Sequence, residues 1–134
     1  MIPAVLDSGV LSAWAAGDRR IIAGLEAVRR AGGYVVVPTV VVAESTTGVP
    51  GRDASVNRRV KGTVLDVCDE RRARRAGALR YASGAAADIS VVDAVVAATG
   101  EDLGARVLTD DPIDLRRLAT ASGRLDVVAL EDLG

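Results

Sequence analysis

One stretch, residues 88–114, limits the folds open to this chain more than any other. From Ile89 to Gly100 it is apolar or small except for one carboxylate, Asp93, and it then runs through a short strand, 105–108, into Thr109, Asp110 and Asp111. Valines and alanines surround Asp93, so a helix here has no plainly wet face. An unpaired carboxylate in such surroundings costs several kcal/mol unless something compensates it. The positions three and four residues away are Ser90, Ile89, Val96 and Ala97, and none carries a positive charge. The compensation must come from elsewhere in the fold or from a bound cation.

The rest of the chain reads as strands alternating with helices. Residues 2–6 form a buried-type apolar run that ends at Asp7-Ser8, followed by a short helix over 10–16. Asp18 is placed to cap a second helix, whose apolar positions Ile21, Ile22, Leu25 and Val28 share one face. A second strand covers 34–37. Pro38 is poorly suited to the middle of a strand and well suited to a first helical turn, so the valine-rich segment after it is read as a helix over 39–47. GVPG at 48–51 reads as a turn, 54–61 as a helix and 63–67 as a strand. A basic helix spans 69–84, Asp88 is expected to cap the apolar helix, a further helix covers 111–122 and a last strand 125–130. This alternation predicts an α/β fold on a mainly parallel sheet, in one domain over 1–134, with no repeat or linker. In open parallel sheets, ligand sites lie beyond the carboxyl ends of the strands, where the strand order reverses. Asp7 and Asp110-Asp111 each follow a strand, so they share a crevice if the first and fourth strands are neighbours.

Composition narrows the chemistry. With no histidine and only Cys68, a typical structural zinc site is excluded, and any divalent metal must be a hard ion on oxygen ligands. The single cysteine also excludes an internal disulfide framework and fits a reducing compartment. The formal net charge of −1 gives no bulk attraction for nucleic acid, although a local basic face can still serve. MIPAVLDSG lacks the basic region of a signal peptide and no run spans a bilayer, so a soluble cytoplasmic protein without membrane contact is expected.

Four segments, LDSGVL, VPTVVVAES, VVDAVVAATG and VLTDDPIDL, together resemble the PIN-domain ribonucleases over the whole chain, most closely the VapC toxins of bacterial toxin–antitoxin pairs. The resemblance implies a three-layer α/β/α sandwich around a five-stranded sheet. It also implies an acidic site of Asp7, Glu44, Asp93 and Asp111, although the doubled aspartate leaves Asp110 or Asp111 open as the last ligand. Further implications are Mg²⁺ or Mn²⁺ as cofactor, RNA such as tRNA or rRNA as substrate, a VapB-like antitoxin as partner, and a homodimer. In chemical terms, crowded carboxylates repel one another, and a hard cation removes that penalty while activating water. Asp7, Asp93 and Asp111 are assigned to the metal and Glu44 to the attacking water or a second ion. The hydroxyls of Ser8 and Thr109 would support neighbouring carboxylates, with Asp88, Asp110 and Asp114 farther out.

Each acid has a plainer reading: Asp7, Asp88 and Asp111 suit helix caps, and Glu44 suits a solvated face. Arg71, Arg72, Arg74 and Arg75 read either as a solvated face or as a phosphate-binding surface, with Arg58, Arg59 and Lys61 nearby. Base stacking would be thin, since Trp14, Tyr34 and Tyr81 are the only aromatics. Two other functions compete with the nuclease reading. One is a phosphatase or phosphoryl-transfer domain using Asp7 as nucleophile; the other is a non-catalytic RNA- or partner-binding module on the same fold.

Overall fold

The computed structural model describes residues 2–133. Five short strands, β1 (Ala4–Leu6), β2 (Val35–Pro38), β3 (Val64–Asp66), β4 (Arg106–Thr109) and β5 (Asp126–Ala129), form one sheet in the order β3-β2-β1-β4-β5. Every pairing is parallel. Seven helices connect them: α1 (Ser8–Ala15), α2 (Arg19–Arg30), α3 (Thr39–Ser45), α4 (Pro50–Val60), α5 (Glu70–Ala82), α6 (Val91–Leu103) and α7 (Pro112–Ser122). Right-handed crossovers put α1 and α2 on one face and α5, α6 and α7 on the other. The contacts agree: α5, α6 and α7 pack on one another, and α1 packs on α2, α3 and α4. Among the described residues no helix is long and apolar enough to cross a membrane.

The inner strands are valine-rich because helices cover both of their faces. Ala4, Val5 and Leu6 are buried, as are Val35, Val36 and Val37, whereas the edge strand β3 leaves Val64 and Leu65 half exposed. The strand order reverses between β1 and β4: the chain builds outward to β3, then returns to the other side of β1. Leu6 pairs with Leu108, so Asp7 and Thr109 emerge side by side at the carboxyl edge.

Several boundaries differ from the sequence expectation for local reasons. Asp88 is exposed and caps nothing; α6 is capped by Ser90, whose Oγ accepts a hydrogen bond from the Asp93 N–H at 3.0 Å. Ser90 takes the cap in place of Asp88 because the N–H groups of Asp88 and Ile89 close a turn on the carbonyl of Ala85, so the helix proper begins only after Ser90. GVPG is only half a turn: Pro50 opens α4, as its locked φ permits. Asp53 ties the preceding loop down, accepting from the N–H and hydroxyl of Thr47 and the N–H of Gly48. The last strand ends at Ala129, and a 3-10 turn, Leu130–Leu133, follows it. Trp14 is core, with the guanidinium groups of Arg29 and Arg59 at 5.7 and 5.2 Å from its ring centre.

The most closely fitted part of α6 is Gly100. A methyl there would stand 2.5 Å from Val107 Cγ2 and 2.8 Å from Leu125 Cδ1. Val107 is fully buried on β4 and has no room to yield. Gly100→Val is therefore expected to destabilise the fold by roughly 2–3 kcal/mol, read as a lower urea midpoint. An unchanged midpoint would show that α6 can lift off the sheet.

Candidate active site

Asp7 closes β1 and opens α1. Its Oδ1 caps the helix by accepting from the Val10 N–H at 3.0 Å, and its Oδ2 accepts a short hydrogen bond from the Thr109 hydroxyl. Thr109 ends β4, and its Oγ also accepts from the N–H of Asp111 at 3.0 Å. One threonine hydroxyl thus joins the two chain segments that the β1–β4 pairing brings together. Glu44, exposed near the end of α3, accepts from the Ser8 hydroxyl at 2.7 Å, which ties it to the first turn of α1. Asp93 lies half-buried in the first turn of α6.

The charges of these acids act on one another. Burial pushes the Asp7 carboxyl from an ordinary 3.8 up to about 6, against the opposing pull of the Thr109 and Val10 hydrogen bonds, and the charges of Asp110 and Asp93 add to the rise. Burial also raises Asp93; the Ser90 side chain opposes this, and Asp114, Glu44 and Asp111 reinforce it. Asp110 reaches Asp7 because residue 9 is glycine: a Cβ there would stand 2.1 Å from Asp110 Oδ1 and 2.2 Å from Oδ2. The sequence reading overlooked Gly9, and the only signal for it was a glycine inside the first turn of a helix. Asp114 pairs with Arg117 at 3.5 Å, and Asp88 is exposed.

Among the described residues, Asp7, Glu44, Asp93, Asp110 and Asp111 have no lysine or arginine partner. An all-oxygen donor set with this much uncompensated negative charge fits a hard divalent cation. As they stand, no three acidic side chains among the described residues close around a single point. The acids form a cluster coupled by charge, with Asp7 held from two sides, and not a finished ligand shell.

The basic helix is solvated at Arg71, Arg74 and Arg75, but each of these and Arg72 is engaged by a carboxylate. Arg72 is buried and bonds Asp66 and Asp102, both at 3.1 Å. Arg71 holds Asp102 at 3.0 Å, Arg74 holds Glu70 at 2.8 Å, and Arg75 holds Glu101 at 2.7 Å. Glu101 also accepts from Arg124 and Ser122. The pairings to Asp102 and Glu101 staple α5 to the far end of α6, away from the acids.

Comparison with known proteins agrees with this architecture. A family model described as PIN domain matches residues 4–121. The fold is similar to that of a chain in the DNA-bound VapBC2 complex of Rickettsia felis, with a TM-score of 0.79 and 13% identity over 96% of this chain and 98% of that one. It is similar to a chain of DNA-bound VapBC from Salmonella typhimurium, with a TM-score of 0.77 and 14% identity over 97% and 99% of the two chains. A chain of FitAcB from Neisseria gonorrhoeae matches with a TM-score of 0.67 and 19% identity over 96% and 98%. A search of curated protein sequences finds no match.

The raised Asp7 carboxyl has a thermodynamic consequence. The native state holds this proton up to about pH 6 and the unfolded chain releases it near 3.8, so ionisation of Asp7 costs stability as pH rises between those values. With EDTA present, Asp7→Asn, which keeps the helix cap, is expected to match the wild type near pH 4. Above pH 7 it should exceed the wild type by on the order of 3 kcal/mol in chemical denaturation. Parallel stability curves for the two proteins would show that Asp7 is not burdened by its site.

Proposed function

Because the chain belongs to the PIN-domain family, whose model spans residues 4–121, we propose that it is a Mg²⁺- or Mn²⁺-dependent endoribonuclease acting as the toxin of a toxin–antitoxin pair. The observation that carries this reading is the gathering of Asp7, Glu44, Asp93, Asp110 and Asp111, without basic partners among the described residues, beside the β1–β4 junction. Placement at the reversal of strand order supports a ligand site there. The VapBC and FitAcB chains of the same fold come from toxin–antitoxin assemblies, which supports a VapB-like antitoxin as the partner that covers the acids. A homodimer and a cytoplasmic setting complete the proposal.

In this mechanism Asp7, Asp93 and Asp111 would hold the metal. Its contribution when bound is to offset charge on the phosphodiester and to acidify water. Thr109 fixes the rotamer of Asp7 by donating to one oxygen, which limits the motion of the acid that anchors the site. Glu44, steadied by the Ser8 hydroxyl, accepts a proton from the attacking water or orients it. Asp110 adds negative charge beside Asp7 and so strengthens the preference for a doubly charged cation. The phosphatase alternative is less well supported, because the second aspartate that such chemistry places two residues after the nucleophile is Gly9 here.

Total RNA incubated with the protein and Mn²⁺ is expected to be cut, with loss of at least about a hundredfold in rate on adding EDTA or in Asp93→Asn. Cleavage that survives both treatments would discard the mechanism. Binding also stabilises the state that binds, so millimolar Mn²⁺ should raise the melting temperature of the wild type and leave Asp7→Asn nearly unmoved. Equal shifts in the two proteins would place the ion elsewhere.

A further inference from the structure

At the far end of α6 from Asp93 lies a cavity of about 420 Å³ whose lining includes Arg71, Arg72, Arg75, Arg124, Glu101 and Asp102. Four guanidinium groups there meet two carboxylates, which leaves the lining with a net charge of +2. Asp66, which bonds Arg72 from β3, and Asp69, whose charge also acts on Arg71, bring the wider set to neutrality, so the case for the pocket lies in its unused donors. Glu101 lies eight residues after Asp93, about 12 Å along the helix axis, so this basic pocket is separate from the acidic cluster.

The carboxylates do not use up the arginine donors. Glu101 is sunk in the wall with 3% of its side chain exposed, and Arg75, Arg124 and Ser122 all donate to it, so its charge is already answered. Arg75 drives that pairing and pulls the Glu101 carboxyl down to about 2, against the effect of burial. Arg75 spends Nε and Nη2 on Glu101, and its Nη1 has no partner among the described residues. Arg124 spends only Nη2, which leaves Nε and Nη1. Arg71 spends both Nη atoms on Asp102 and keeps Nε. Arg72, with 7% of its side chain exposed, forms the floor, and its Nε is buried with no hydrogen-bond partner. Guanidinium groups fixed by their own ion pairs, with spare N–H groups around one cavity, suit an oxyanion that accepts several hydrogen bonds at once.

We infer that this pocket binds a phosphate group. Its several unused donors favour a phosphate over a carboxylate, which offers only two oxygens. Free phosphate and the backbone of a nucleic-acid strand both present this group. Arg74 takes no part: it is exposed, pairs with Glu70 and does not line the cavity. Arg124 does take part although it lies far from the basic helix in sequence, because the turn after α7 brings it over Glu101.

The test is titration calorimetry of the intact chain in EDTA with inorganic phosphate, pyrophosphate and a short single-stranded oligoribonucleotide, together with the arginine Nε–Hε resonances. Arg124→Gln keeps the Arg75 and Ser122 bonds to Glu101 and should fold normally. It is expected to weaken phosphate-group binding about tenfold, while Arg74→Gln, with the same loss of charge, leaves it unchanged. The Arg75 and Arg124 resonances should shift together on binding. If the oligoribonucleotide shows this pattern and inorganic phosphate does not bind, the ligand is a strand backbone; the reverse identifies free phosphate. Equal weakening by Arg74→Gln, equal binding of acetate, or no binding of any phosphate probe at millimolar concentration would overturn the proposal. Because metal is removed, the result is independent of whether the acidic cluster cleaves RNA.

Discussion

The pairing of β1 with β4 is the constraint on which the site depends. Asp7 and Thr109 are more than a hundred residues apart in the chain, and only strand adjacency makes them neighbours. The register that sets Leu6 opposite Leu108 puts both residues at the same height on the carboxyl edge. A slip of one residue would turn Val107 and Leu108 of β4 to the opposite layers, so close packing on both faces of the sheet protects the geometry of the acids. The core, through Val5, Leu6, Val107 and Leu108, therefore holds the site in register although none of these residues bears on its chemistry.

The chain also shows that it can neutralise a buried carboxylate when the fold calls for it. Glu101 receives two arginines and a serine and is held well below the usual carboxylate range, at about 2. Asp7, equally hidden from solvent, receives one backbone N–H and one hydroxyl and rises to about 6. Both lie in a protein with 17 lysines and arginines, so the lack of a counter-charge at Asp7 reflects where those residues sit and not a shortage of them. A cluster left electrostatically costly while its neighbours are satisfied is the pattern expected where function competes with stability.

Much of this could be read from sequence because local rules govern it. The valine runs, the Pro38 boundary and the cap at Asp18 all follow from short-range chemistry, as does the placement of Asp7 and Asp110-Asp111 just after strands. The sequence offered both Ser90 and Asp88 as caps for α6, and the turn closed on Ala85 decides for Ser90. Long-range pairing was beyond a local reading. The neighbour relation of β1 and β4 had to be assumed, and the fate of the basic helix could not be foreseen. Arg72 has the spacing of a surface residue, yet it is buried because Asp66 from β3 and Ala98 and Asp102 from α6 converge on it. The same limit hid Arg124, whose role depends on a turn folding back over α6.

The doubled aspartate after β4 shows how backbone geometry can divide one charge motif between two tasks. The N–H of Asp111 bonds Thr109 Oγ, which fixes the turn and leaves the Asp111 carboxylate free of any cap bond to α7. From there its charge falls on Asp93, whereas the charge of Asp110 falls on Asp7. Asp110 gains that position only over a residue without a Cβ, since any side chain at Gly9 would occupy the space of its carboxylate. The two aspartates are therefore not interchangeable copies: each loads a different member of the cluster, and a glycine on another segment permits the arrangement. That interdependence explains why the order of acids along the chain was legible while the division of labour between adjacent ones was not.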